Sequence, residues 1–187
     1  YMSESFYQDM LNEPDFFKGL DYEILTDSLF GRICDTVSPQ GIIGTVRMPE
    51  YRLDEILEVK NAFLLLLEDI RDPGNLGTII RTAEGAGVTG IMLNNTCADI
   101  LQPKVVRSTM GSIYRVPYYE AEDFISLITK LKSKGFKIFA AHLSGELYDR
   151  EGVFLGDLGL LIGNEANGLS EEVSHMADDL IRIPMEG

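Results

Sequence analysis

Sulfur chemistry is almost missing from this 187-residue chain. Its two cysteines, Cys34 and Cys97, stand far apart, and no Cys-x-x-Cys pair occurs. That excludes a disulfide framework and a cysteine-based zinc site, and it suits a reducing compartment. No stretch of about eighteen apolar residues exists, so no segment reads as a transmembrane helix. The longest apolar run, Ala62 to Leu67, is far too short. The opening Tyr1-Met2-Ser3-Glu4-Ser5 lacks the basic and apolar regions of a secretion signal. A cytoplasmic protein without a membrane contact is the expectation, and Asn94-Asn95-Thr96 is then a chance match to a glycosylation sequon. Basic residues are also scarce: 16 Lys and Arg face 30 Asp and Glu, a net charge of −14.

A large acidic excess speaks against nucleic acid, whose phosphates attract basic surface. Its distribution softens the objection. Residues 1–60 carry a net −7, residues 61–119 a net 0, and residues 120–187 a net −7. The neutral middle holds Arg71, Arg81, Lys104, Arg107 and Arg115. Apolar residues make up 45% of the chain and charged residues 25%, enough to bury a core. The length fits one domain, or one domain with part of another.

Residues 1–58 hold short apolar clusters and read as the C-terminal part of an N-terminal domain followed by a linker. Within them, Pro39-Gln40-Gly41 signals a turn, Gly41 to Met48 a strand, and Leu53 to Leu57 a short helix. From residue 59 the rhythm is α/β. Ala62–Leu67 predicts a strand buried on both faces. Leu76, Ile79, Ile80 and Ala83 follow at helical spacing, with Asn75 able to cap and Gly87 able to close the helix. Further strands are expected at Gly90–Leu93, Val116–Tyr119, Phe136–Ala141, Gly159–Ile162 and Leu180–Ile183. Further helices are expected from Pro103 to about Met110, over Glu122–Lys134, and from Ser170 to Met176. This alternation implies a mainly parallel sheet with helices on both faces. A last strand at Leu180–Ile183 with no helix after it leaves one face bare, so the 59–187 domain is expected to lack its C-terminal end.

Gly85-Ala86-Gly87-Val88-Thr89-Gly90 spells GxGxxG, but it closes a helix and opens a strand. A dinucleotide fingerprint needs the reverse order, so that phosphate meets free helix N–H groups. Three other segments carry chemistry. Asp72-Pro73-Gly74-Asn75-Leu76-Gly77-Thr78-Ile79-Ile80-Arg81 begins at the C-terminal end of a buried strand, where ligand sites of open α/β sheets lie. Asn75 and Arg81 stand about 600° apart around the helix, roughly 120° from eclipsed, so they do not share one face. Gly163-Asn164-Glu165-Ala166-Asn167-Gly168-Leu169-Ser170 follows another apolar strand. Its glycines permit close backbone approach to a ligand, and its carboxylate can accept bonds or brace an arginine. Ile181-Arg182-Ile183-Pro184-Met185 ends a strand in exposed backbone groups and a soft apolar wall suited to a flat heteroaromatic ring. Taken singly, each also reads as an ordinary cap, turn or strand end.

Together, in this order and at these separations, the three segments resemble the SpoU (TrmH-like) family of S-adenosyl-L-methionine-dependent RNA 2′-O-ribose methyltransferases, of the SPOUT class. The resemblance runs from about Ala62 to Gly187, with Ala166 standing where the family commonly has glycine. Asp35-Thr36-Val37-Ser38-Pro39-Gln40-Gly41-Ile42 also looks like the end of the small RNA-binding domain that precedes the catalytic domain in many members. The resemblance implies a parallel α/β sheet whose C-terminal part forms a trefoil knot, a homodimer with its site at the subunit interface, and a ribosomal or transfer RNA substrate. The family's third motif continues with a Ser-Leu-Asn segment and a final helix, which do not follow here.

The same resemblance assigns roles. Arg81, Asn75 and Glu165 are the catalytic candidates. Gly163, Ile183, Met185 and Leu143 are the candidates around the S-adenosyl-L-methionine pocket. No metal is required. Arginine is effectively always protonated, so Arg81 is expected to stabilise charge and not to act as the base. His142 and His175 are the only histidines, and His142, near the expected pocket, is read as structural. Two rival functions share these features: methylation of a base by the same fold, and binding of RNA or cofactor without turnover.

Overall fold

The structure, a computed structural model, describes residues 1–149 and 152–184. It divides into two units, Tyr1–Met48 and Pro49–Gly187.

In the first unit β1 (Met2–Ser3) runs parallel to β2 (Ile24–Leu25). α1 (Glu4–Asp9) and α2 (Asp27–Ile33) each start on a hydroxyl cap. Ser3 Oγ accepts the Phe6 N–H and Thr26 Oγ1 accepts the Leu29 N–H, which satisfies donors a helix start leaves open. Tyr7, Phe17 and Tyr22 pack ring on ring, with Phe17 centroids 5.3 Å from both neighbours. The strand expected over Gly41–Met48 does not form. Partners exist only at its start, where the Ser3 N–H reaches Gly41 O, the Ile43 N–H reaches Tyr1 O, and Ile42 bridges Met2. Apolar alternation without a neighbouring strand to bond leaves the remainder irregular.

The second unit opens with α3 (Leu53–Leu57). Ile56 and Leu57 are buried in the same core as Leu64 and Leu66, so this helix belongs with the sheet and not with a linker. The chain thus divides ten residues before the boundary expected after residue 58. There follow β3 (Phe63–Leu67), α4 (Pro73–Gly85), β4 (Gly90–Asn94), α5 (Pro103–Ser108), β5 (Tyr118–Ala121) and α6 (Phe124–Ser133). β6 (Lys137–Leu147), β7 (Leu158–Ile162), α7 (Glu171–Ser174) and β8 (Asp179–Arg182) complete it. All six strands of the sheet pair in parallel, in the order β5-β4-β3-β7-β6-β8. The GxGxxG pattern does close α4 and open β4.

The alternation of β3 explains the layers. Leu64 and Leu66 point into a core shared with α3, Phe124, Leu127, Ile128 and Leu131 of α6, and Val173 of α7. Leu65 and Leu67 point to the other face, where Leu76, Ile80 and Ala83 of α4 and Val105 of α5 are buried. Full burial of such a leucine contributes about 1.5–3 kcal/mol. Past β3 this second face changes: Phe63, Phe139, Leu160 and Ile181 border a wholly apolar depression of about 390 Å³. Among the described residues, no helix is long and apolar enough to cross a membrane.

Candidate active site

From β3 the chain moves outward through β4 to β5, then returns to fill the opposite side with β6 and β7. Strand order therefore reverses between β3 and β4 on one side and β7 on the other. Loops leaving the C-terminal ends of strands at such a point enclose a crevice. The two loops here are Glu68–Asp72, after β3, and Gly163–Ser170, after β7. The first leads into the Asp72–Arg81 segment, which continues as α4, and the second is the glycine-bearing segment itself.

Strand ends are tied to one another by side chains. The Glu68 N–H donates to Ile162 O at 2.9 Å and extends the β3–β7 ladder. Asp69 turns the chain with φ 59°, a left-handed conformation that Asp tolerates better than most residues. Its N–H donates to Asn94 Oδ1 at 3.0 Å, and its carbonyl accepts Asn164 Nδ2 at 2.9 Å. Asn164 Oδ1 accepts the N–H groups of Ala166 and Asn167, and Asn164 and Gly168 exchange backbone bonds across the loop. Gly168 has φ 69°, which suits a residue without Cβ. A Cβ on Gly163 would lie 2.3 Å from the Gly168 carbonyl carbon, so only glycine fits there unless the loop moves.

α4 starts on Asp72, not on Asn75. The extended Asp72 backbone precedes Pro73, and Asp72 Oδ1 accepts the Asn75 N–H at 2.8 Å. That hydrogen bond, with the nearby Lys104 ammonium, holds the Asp72 carboxyl below the usual carboxylate range despite its desolvation. Because Asp72 takes the cap, the Asn75 side chain is free, and its Nδ2 donates to Glu165 Oε1 at 2.7 Å. This contact joins residues 90 positions apart in sequence. Arg81, further along α4, is exposed, and among the described residues nothing pairs with its guanidinium. The fold therefore brings Asn75 and Glu165 together and leaves Arg81 apart from them.

Beside the Gly163–Ser170 loop lies a cavity of about 470 Å³, bounded by that loop, residues 141–143 and residues 181–183. Gly163, Glu165, Leu143 and Ile183 line it; Asn75 and Arg81 do not. Leu143 is 90% exposed and lies within β6, not after it. The reason is a register skip: Ala141 and Glu146 both pair with Ile181, so residues 142–145 bulge outward. His142 lies in this bulge, exposed, with its Nδ1 within 2.7 Å of Ser144 Oγ. Ile183 is 67% exposed after β8, while Met185 falls outside the described residues. The volume lies in the range of about 300–1,000 Å³ typical of small-molecule sites. Apolar Leu143, Leu169 and Ile183 and the open backbone of a glycine loop match a flat heteroaromatic ring with polar edges.

Glu68, Asn164 and Ser170 were not singled out as site residues from the sequence. The one signal for Glu68 is a carboxylate directly after a fully apolar run, where burial is unavoidable. Asn164 shows itself only as an asparagine following a strand and a glycine.

The sequence model of the SpoU rRNA Methylase family matches residues 62–187. The 23S rRNA (guanosine(2553)-2′-O)-methyltransferase RlmP of Bacillus subtilis is 30% identical over 173 residues, which are 92% of this chain and 67% of that protein. An uncharacterized tRNA/rRNA methyltransferase of Synechocystis is 30% identical over 86% of this chain, which spans 58% of that relative. The SpoU methyltransferase AviRb of Streptomyces viridochromogenes superimposes with a TM-score of 0.80 at 26% identity, covering 94% of this chain and 69% of that one. An AdoMet-bound rRNA methyltransferase of Sinorhizobium meliloti gives a TM-score of 0.77 at 30% identity, covering 100% and 71%. The parallel sheet, the crevice at its reversal point and a family match across two thirds of the chain lead to one conclusion: this chain belongs to the SpoU rRNA Methylase family.

Proposed function

We propose that the protein to which this chain belongs transfers a methyl group from S-adenosyl-L-methionine to a ribose 2′-hydroxyl of ribosomal or transfer RNA. The observation that carries this reading is the Asn75–Glu165 contact, which joins the two polar segments at the mouth of the crevice. The names of the relatives support the reaction and substrate, and the AdoMet-bound neighbours support the cofactor. In this proposal the protein is a cytoplasmic homodimer, its C-terminal strands form the trefoil knot, and the Tyr1–Met48 unit contributes to RNA binding.

When bound, the cofactor supplies an electrophilic methyl on a sulfonium. The protein's part is placement and electrostatics. A 2′-hydroxyl is a weak nucleophile at neutral pH, so it must be aligned and must lose its proton. Asn75, fixed by Glu165, orients the ribose. Arg81 pairs with an RNA phosphate through its planar fork and stabilises charge as it develops on the 2′-oxygen. An RNA phosphate oxygen or water takes the proton. Gly163, Leu143 and Ile183 would hold the cofactor, and Met185, carried over from the family resemblance, would join them.

The test is methylation of RNA by the full-length protein, with the product nucleoside mapped by mass spectrometry. A ribose methyl group is expected. A methylated base overturns the ribose assignment, and cofactor binding without any methylated product overturns the catalytic one.

A further inference from the structure

We infer that Glu68 is a positioning residue for the cofactor-side loop, acting through Ser170. This rests on the proposed function, since it gives that loop its purpose. Glu68 is one of few buried charged residues, 9% exposed at the end of β3. Its carboxylate has two partners on a single residue. Oε2 accepts the Ser170 N–H at 2.8 Å, and Oε1 accepts the Ser170 hydroxyl at 2.7 Å. These bonds cross 102 positions of sequence.

The geometry makes Glu68 a clamp on both ends of one loop. Its backbone N–H holds Ile162, the last residue before the loop, and its carboxylate holds Ser170, the last residue of the loop. The carbonyl of neighbouring Asp69 holds Asn164 within the loop. The Ser170 hydroxyl serves both sides: it donates to Glu68 and accepts the Val173 N–H as the cap of α7. Fixing Ser170 fixes the exit direction of Gly168 and Leu169. It thereby sets where Glu165 stands relative to Asn75 and where the backbone around Gly163 faces the cavity.

A carboxylate is the one side chain that satisfies both Ser170 donors at this spot. Glutamine offers one oxygen and one amide, and whichever way it turns one acceptor is lost: the amide either faces the Ser170 N–H or donates to the hydroxyl oxygen and leaves the hydroxyl proton without its acceptor. Leaving a partly buried donor unpaired is costly, and a loop released at one end samples positions that do not bind.

The experiment compares wild type, Glu68→Gln, Ser170→Ala and the double variant in the full-length protein. Amide exchange of residues 163–170 is measured without ligand, and S-adenosylmethionine affinity is measured by calorimetry well below melting. Glu68→Gln is expected to speed exchange in the loop while the β3 and β4 amides stay protected. It should weaken cofactor binding and raise the cofactor KM by about tenfold, and kcat should fall as well because the same loop places Glu165 against Asn75. Ser170→Ala should act in the same direction, and the double variant should be no worse than Ser170→Ala alone, because that variant already removes the hydroxyl link and the cap while the glutamine oxygen still accepts the Ser170 N–H. Unchanged loop exchange in Glu68→Gln, or full additivity, overturns the inference. If Glu68→Gln does not fold, Ser170→Ala carries the test, and unchanged exchange and affinity there overturn it. A wild-type protein that binds no cofactor sinks the functional reading instead, and the clamp then stands or falls on loop exchange alone.

Discussion

Asn75 and Arg81 share one helix, yet the fold treats them in opposite ways. Asn75 sits in the first turn, where Asp72 caps the helix for it and Glu165 receives its amide at 2.7 Å. Glu165 in turn rides on a loop held at Ile162, Asn164 and Ser170. Arg81 faces outward with no partner among the described residues. The contrast is physical. In the proposed mechanism Asn75 must be in place before the reaction, and bonds made during folding fix it, so none of its ordering cost falls on the ligand. Arg81, proposed to meet a phosphate, keeps its donors uncommitted, so no internal ion pair would have to be broken first.

Arg81→Ala is the strongest challenge to that contrast. If the guanidinium acts only as charge develops, turnover should fall by about 10²–10³ while cofactor affinity and melting temperature stay near wild type. Arg81→Lys should recover little, since a point charge cannot bridge two oxygens with a planar fork. Single-turnover methylation with parallel melting curves decides it. Near-normal turnover in Arg81→Ala would hand weight to the base-methylating alternative.

Gly163→Val attacks the braced side. The added Cβ would meet the Gly168 carbonyl carbon at 2.3 Å, so the loop must shift. Calorimetry should show cofactor affinity reduced by about tenfold or more, with the core strands intact. An unchanged affinity would place the cofactor elsewhere.

A double-mutant cycle sharpens the comparison directly. Asn75→Ala with Glu165→Ala should show a coupling of about 0.5–1.5 kcal/mol in the unliganded protein. Arg81→Ala with Glu165→Ala should show none. A coupling between Arg81 and Glu165 of the same size would erase the distinction between a committed and an uncommitted half.

The smallest expected effect lies on the far side of α4. The Arg115 guanidinium and the Ser112 hydroxyl on Glu84 bring its carboxyl from 4.5 to about 2. A lowered folded-state value means the stabilisation is present above the ordinary value near 4.5 and is lost as pH falls towards 2. Arg115 is exposed and Glu84 half-buried at the surface, so solvent screens the pair and the effect is modest. Melting temperature followed from pH 5 to pH 2 should fall less in Glu84→Gln than in wild type, and turnover at neutral pH should be unaltered.

Much of the sheet was legible because its signals are local. Ala62–Leu67 reads as a doubly buried strand, the stripe Leu76, Ile80, Ala83 as a helix face, and Gly87 as a helix end, where φ is positive. The misreadings are also physical. Gly41–Met48 has a strand's pattern but lacks a partner, and Asn75 can cap a helix but stands three residues behind a better-placed Asp72. Residues 142–147 continue β6 because a bulge allows two pairings with Ile181, which no periodicity announces.

Composition and motif order by themselves determined the class of fold, the family resemblance and the residue types available for chemistry. Apolar period, caps and glycines act within a few residues and are therefore written in the chain. Tertiary structure alone decided which of those residues meet. Asn75 reaches Glu165 across 90 positions and Glu68 reaches Ser170 across 102, because β3 and β7 lie side by side where the strand order reverses. Buried donors and acceptors must find partners wherever the sheet delivers them, and that delivery is a property of the folded topology.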